Sequence, residues 1–357
     1  MGITFEEASF FMEDFRRTGA LQRTVLYINL ADDPAIERIS TPRIALTAAE
    51  YLAFECNMHV VVILTDLTNY CEALREISGR LEEMPAEEGF PAYLVSRLSE
   101  FYERAGRSLT LSGSTGSITI IGAVSPQGAD FSEPVTQNTK RFTRCFWALD
   151  KNLAYARHYP AVNWNMSYSE YFADLDPWFI KNVGPDFPKL RKQIVGILHE
   201  EERLMEIVKL VGEDVLPDDQ KLSIETAKLI RFGFLQQNAF HKEDTFVPLL
   251  KQQEMMRVII YLYEKVKNLI TASIPIAKVV KSGIFADLTK MKYEVPNDNH
   301  HPYDIVLIDP IYNVLLANPC LPATETVPVS TALIHYHSAL SESEHNSPIH
   351  FGHGLDS

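Results

Sequence analysis

HVVVILTDLTNYCEALREIS, residues 59–78, reads as a strand that ends on an acid and turns at once into a helix. Residues 59–68 are rich in β-branched side chains, which favour a pleated, half-buried surface. The helix that follows runs through Arg80. Working outward, the same alternation repeats. Upstream, RTVLYINLAD (23–32) predicts another buried strand, and Pro34 opens a helix running toward Cys56. Before that, Thr4-Phe5-Glu6-Glu7 begins an amphipathic helix with Phe10, Phe11 and Phe15 on one face and Gly19 as its stop. Downstream, a turn spans Pro85–Pro91, YLVSRLSEFYERAG is a helix closed by Gly106, and GSITIIGAVSP (116–126) is a third strand. Strands alternating with helices predict an α/β domain with a largely parallel sheet.

Near residue 165 the pattern changes. From there to about 272 it is helical throughout, with Leu190, Ile194, Ile197, Leu198, Leu204, Ile207, Val208 and Val211 at helical spacing. QQEMMRVIIYLYEKVKNLI (252–270) repeats the signal, so a helical bundle is expected over 166–292. The remaining segment, 293–357, differs again: it holds seven prolines, seven of the eleven histidines, and no Lys or Arg.

At 357 residues the chain is long enough for two domains with sizeable cores. A net charge of −14 argues against non-specific binding to nucleic acid or to an anionic membrane. The acidity is uneven: residues 1–292 balance at −6, and 293–357 at −8. Cys56, Cys71, Cys145 and Cys320 follow no disulfide or metal-ligand spacing, which fits a reducing compartment. The acidic, amphipathic start is unlike a secretory signal.

Four stretches could carry chemistry, and each has an ordinary alternative. Asp66 ends an apolar strand at the carboxyl edge of the predicted sheet, where doubly wound folds bind ligands and where an acid can hold Mg²⁺ through water. It can equally cap the helix beginning near Thr68. GAVSPQGADFSEPVTQNT (122–139) could present hydroxyls and amides to phosphate, or be a plain helix start with Ser132 as cap and Pro134 in the first turn. Tyr159, Phe234 and Phe240 could sandwich a purine, or be core. His335 and His337 would share one face of a strand as a metal pair, with no regular ligand spacing around them. No GxxxxGK[ST] phosphate loop, GxSxG elbow or HExxH helix occurs in these residues.

Taken together the motifs resemble the head subunits of rotary V-type and archaeal A-type ATPases, over roughly residues 1–292. Residues 1–78, GITFEEASFFMEDFRRTGALQRTVLYINLADDPAIERISTPRIALTAAEYLAFE with HVVVILTDLTNYCEALREIS, look like the non-catalytic B subunit. Residues 72–292 look like the catalytic A subunit through EALREISGRLEEMPAEEGFPAYL, FYERAGR, GAVSPQGADFSEPVTQNT, FWALDKNLAYARHYPAVNW and LQQNAF. EALREIS is common to both types, so the chain reads as a hybrid joined there. The resemblance implies an incomplete RecA-like domain over 1–165 followed by the helical bundle.

The resemblance also implies Mg-ATP or Mg-ADP as ligand, with Asp66 serving Mg²⁺ through water. It places Tyr159, Pro160, Phe234, Gln237, Asn238, Ala239 and Phe240 around adenine. Its partners would be other A- and B-type head subunits and a central stalk, with the membrane reached only through that complex from the cytoplasmic side. The phosphate loop is expected upstream of Met1. The stretch where an A subunit has the Glu that polarises water is B-like here, GITFEEAS, and the stretch where a B subunit offers its arginine is A-like, MSYSEYF. Weak nucleotide binding by this chain alone is therefore expected, with a non-catalytic assembly module as the alternative.

Overall fold

Thr4 sets the first element. Its hydroxyl accepts from the Glu7 N–H (3.3 Å), and the Glu7 carboxylate accepts from the Thr4 N–H (2.9 Å). This reciprocal box starts α1 (Phe5–Thr18), and Gly19, at φ 73°, ends it as expected. The structure is a computed structural model that describes residues 2–297; His335, His337 and Cys320 lie outside them. The chain forms two compact units. The first is the chain up to Trp147 with Ser167–Tyr171, and the second is Ala148–Met166 with the chain from Phe172 onward.

In the first unit the predicted strand over 23–32 does not form. Ala20–Arg23 is a 3-10 turn, and the extended chain beyond it makes one parallel bridge, Ile3 to Leu30. Extended backbone becomes a strand only beside a partner strand, and among the described residues it meets only the single residue Ile3. Val25, Leu26, Tyr27 and Ile28 are left exposed. Pro34 then opens α2 (Ala35–Glu50), which loosens into a π-helical turn at Tyr51–Glu55. β1 (His59–Leu64) and α3 (Leu67–Arg80) follow as the opening stretch predicts.

α4 (Leu94–Tyr102) stops short of Gly106. Gly106 instead begins β2 (Gly106–Leu109), because a turn in which Thr110 N–H donates to Ser114 O (2.8 Å) folds this segment back on β3 (Thr115–Gly122). The sheet order is β1-β3-β2, with β1 parallel to β3 in the register Val61–Thr119 and β2 antiparallel. Gly116 is required where the π-helical turn crosses β3: a Cβ there would lie 1.9 Å from Ala53 O. α5 (Pro134–Phe142) starts with Glu133, not Ser132, at the cap position; Ser132 Oγ is turned back to donate to Asp130 Oδ1 (2.6 Å). β4 (Cys145–Phe146) and β5 (Tyr168–Ser169) pair antiparallel to complete the unit.

The core lies on one side of the sheet. Leu46, Leu67, Tyr70, Leu98 and Val135 are fully buried, and Tyr70 meets Phe101 edge to face at 4.8 Å. Arg104 grips Glu50 through Nε and one terminal nitrogen, both at 2.6 Å, tying the end of α4 to the end of α2. The other sheet face is bare: Val61 is 59 % exposed, Ile63 66 % and Ile121 40 %.

The second unit is helical, as the 3.6-residue periodicity predicts. It contains α6 (Lys151–Tyr155), α7 (Phe172–Asn182), α8 (Phe187–Val211), α9 (Asp218–Leu229), α10 (Lys242–Thr245), α11 (Leu249–Thr271), α12 (Ile276–Lys281) and α13 (Ile284–Glu294). A π-helical turn, Ile230–Leu235, extends α9. Leu190, Ile194, Ile197 and Leu198 of α8 join Leu222, Ile230, Met255, Ile259, Leu262 and Leu288 in one continuous core. Ile207 and Val211, on the same periodic stripe, are exposed where α8 runs past that core. Among the described residues no helix is long and apolar enough to cross a membrane.

Candidate functional site

The carboxyl ends of β1 and β3 are knitted together by backbone. Ala123 N–H donates to Leu64 O (2.8 Å), Leu67 N–H to Ala123 O (2.8 Å), and Ser125 N–H to Thr68 Oγ1 (2.9 Å). Asp66 sits at this edge. Its Oδ1 accepts from the N–H of Thr68 (3.0 Å) and Asn69 (3.3 Å), and its Oδ2 from Asn69 Nδ2 (2.8 Å). It therefore caps α3. A carboxylate has about four acceptor sites, so three donors leave room for one metal-bound water. The residue fits the water-mediated role without being committed to it.

The polar run after β3 turns inward. Thr136, Asn138 and Thr139 are buried, with Asn138 Nδ2 donating to Pro134 O (2.8 Å) and Thr136 Oγ1 to Glu133 Oε1 (3.2 Å). Within 136–139 Gln137 alone is exposed. Burial pushes the Glu133 carboxyl above its usual range against the pull of Thr136. Deeper in, burial pushes the Tyr102 phenol up to about 12, with Thr139 pulling the other way. This segment is an ordinary helix start packed on α4.

The second unit brings the aromatic candidates together. Tyr159 and Pro160 sit on a loop braced by Asp150, whose oxygens accept from Asn152 N–H (2.7 Å) and Asn163 Nδ2 (2.9 Å). His158, buried beside Trp164, bonds through Nε2 to Arg231 O (3.0 Å). Gln237 N–H donates to Tyr159 O (2.7 Å), so the two sequence-distant stretches meet. Tyr159 is 55 % exposed and Phe240 100 %. Pro160, Gln237, Asn238 and Ala239 are exposed with them, while Phe234 packs against the helical core. Flat rings in water beside amide groups are suited to stacking on a planar base.

The sequence reading missed what holds this turn. Asn238 N–H donates to Asp244 Oδ2 (2.7 Å), and Asp244 pairs with Lys292 (3.8 Å), both side chains 2 % exposed. Lys292 Nζ also donates to Gln236 O. Lys251 Nζ donates to Lys292 O (2.9 Å), Val295 O (2.7 Å) and Asn297 Oδ1 (2.9 Å). Burial holds both ammonium groups below the usual lysine range; Asp244 opposes this at Lys292, Glu243 and Asp244 at Lys251. The signal was present in the sequence: Lys292 continues the buried stripe Ile284, Leu288, Met291. Among the described residues no group of three or more His, Cys, Asp and Glu could hold a metal ion.

Comparison with known proteins gives this arrangement its context. Residues 1–169 match the ATP synthase alpha/beta family, nucleotide-binding domain, and residues 176–280 match the C-terminal domain of V and A type ATP synthase. The V-type ATP synthase alpha chain of Halothermothrix orenii is 53 % identical over 301 residues, 84 % of this chain and 51 % of that one. The V-type ATP synthase alpha chain 2 of Clostridium tetani is 51 % identical over 295 residues, 81 % and 50 % of the two chains. The A subunit of the A-type ATP synthase of Methanopyrus kandleri is 46 % identical over 296 residues, 80 % and 50 %. The chain thus spans about half the length of the curated relatives it matches, 51 % and 50 % for the first two. On these matches the chain belongs to the ATP synthase alpha/beta family, in its V- and A-type branch.

Proposed function

We propose that the chain serves in the head of a rotary V/A-type ATPase, where ATP hydrolysis or synthesis is coupled to movement of protons or sodium ions. One conjunction supports this: the match to V- and A-type relatives coincides with a loop and a turn, joined by backbone, that expose Tyr159 and Phe240. In this reading Tyr159, Pro160, Phe234, Gln237, Asn238, Ala239 and Phe240 receive adenine, Phe234 by backing the turn from the core. Asp66 holds Mg²⁺ through water. Other A- and B-type head subunits and the central stalk are the partners, and the complex attaches the chain to the cytoplasmic side of a membrane. Acting alone the chain holds Mg-ATP weakly, since its 357 residues contain no GxxxxGK[ST] run. The B-like front and A-like remainder, joined within EALREIS, are part of the same proposal.

Titration calorimetry of the full chain with ADP, with and without Mg²⁺, tests it. Tyr159→Ala and Phe240→Ala are each expected to weaken ADP by about 2- to 10-fold. Asp66→Asn keeps a capping oxygen but removes the charge, so it should abolish the Mg²⁺-dependent part of the affinity and leave α3 intact. Unchanged ADP affinity in all three variants defeats the reading. A second reading, a non-catalytic assembly module, is favoured by the bare face of Val61, Ile63 and Ile121. Robust ATP turnover that Asp66→Ala abolishes would rule that module out.

A further inference from the structure

The turn that carries Gln237, Asn238, Ala239 and Phe240 is exposed and has little packing of its own. Its aim depends on its base. That base is polar and buried, which is costly: an ammonium taken from water needs pairing and full hydrogen bonding to break even, and apolar side chains of similar volume often stabilise as well or better. A buried charge cluster is therefore better explained by the geometry it fixes than by stability.

The bonds of Lys292 and Asp244 lead to the two ends of the turn, and those of Lys251 fix the segment that carries Lys292. Lys292 donates to Gln236 O on the entering side. It pairs with Asp244 on the leaving side, and Asp244 accepts from Asn238 within the turn. Lys251 clamps Lys292 O, Val295 O and Asn297 Oδ1, and Asn297 N–H donates to Glu243 Oε2 (2.7 Å). The next residue along from Gln236 donates to Tyr159 O, so the tyrosine is registered against the same base. We infer that Lys292 is a positioning residue that fixes the Gln236–Asp244 turn, and so holds Phe240 and Tyr159 in place for the base of a nucleotide. This rests on the nucleotide reading above for its ligand, but not for the fixing itself.

Lys292→Met keeps the stem and removes the ammonium. Lys292→Met with Asp244→Asn leaves no charge stranded, and serves if the single variant unfolds. Hydrogen exchange on the full chain is expected to quicken by about tenfold or more at amides of 236–245 while those of α11 stay as in the wild type. ADP affinity should fall by about tenfold and that of inorganic pyrophosphate should not change, because only the base contact is disturbed. The double variant should be no worse than Lys292→Met alone, since both residues act through one link. Unchanged exchange at 236–245, or equal acceleration through α11, overturns the positioning role; so does an equal loss of ADP and pyrophosphate. If the wild-type chain binds no ADP at all, the nucleotide reading falls, and exchange alone decides whether Lys292 fixes the turn.

Discussion

The two units bury their chains in opposite ways. In the first, three strands carry a core on one side only, and the other side presents Val61, Ile63 and Ile121 to solvent. Its buried ionisable groups, Cys71 and Tyr70, are ones that are neutral at pH 7, as is the partly buried Tyr102. In the second, helices close around a large core with a small cluster of Leu204, Leu216 and Ile224 beside it, and Lys251 and Lys292 are buried. A sheet with parallel pairing is usually covered on both faces, whereas a helix buries only one stripe. The lesson is that matching a family over most of a chain does not make both parts equally self-sufficient.

Core truncation should show the contrast most strongly. Leu262→Ala, in the middle of α11, is expected to cost about 2–5 kcal/mol. Ile63→Ala, on the bare sheet face, should stay within about 0.5 kcal/mol. Denaturation followed by hydrogen exchange in each unit separately measures both; a costly Ile63→Ala would mean that this face is covered in solution.

Alkali should separate the units next. Burial holds Tyr102 at about 12 and also pushes the Cys71 thiol up. Unfolded, these groups lose their protons near ordinary values, so above about pH 9 the folded first unit binds more protons and loses stability as pH rises. The Tyr102 share amounts to about 2–3 kcal/mol by pH 12. Lys251 and Lys292 act in the other direction. Their folded values are lowered by burial, so the second unit binds fewer protons and gains stability as pH nears the ordinary lysine value. Tyr293, raised by burial and by Asp244, takes back part of that gain. Circular dichroism with exchange mapping should find the first unit opening at the lower pH; simultaneous opening breaks the comparison.

Two glycines give smaller, opposed effects. Gly116→Ala places a Cβ against the Ala53 carbonyl and should destabilise the first unit by about 1–3 kcal/mol. Gly196→Ala, inside α8 with open space around it, should stabilise the second by about 0.5–1 kcal/mol. Thermal melts of the two variants read both signs.

The helical unit was legible because its signal is local: a stripe at 3.6-residue spacing buries itself wherever helices meet. α1, α3 and β1 were legible for the same reason, through Thr4, Gly19 and Asp66. RTVLYINLAD was misleading because strand formation is decided by a neighbour, and no periodicity reports whether the neighbour is there. β2 was hidden because a four-residue edge strand exists only through its hairpin. At the candidate site, aromatic character marked Tyr159 and Phe240, but the sequence reading passed over Lys292 and Asp244: Lys292 continues a buried helical stripe, yet only the fold pairs it with Asp244 at 2 % exposure.

The π-helical turn at Ile230–Leu235 has one more consequence. Each π turn holds one residue beyond α-helical count. Removing that one surplus residue would restore an α turn with the path on either side kept, whereas removing two would also take out a residue of α-helical count and swing everything after it by about 100° round the helix axis. Gln237 would then leave Tyr159, and Asn238 would leave Asp244. The direction in which Phe240 points is thus written in the length of this segment, which can lose one residue and keep that direction but cannot lose two.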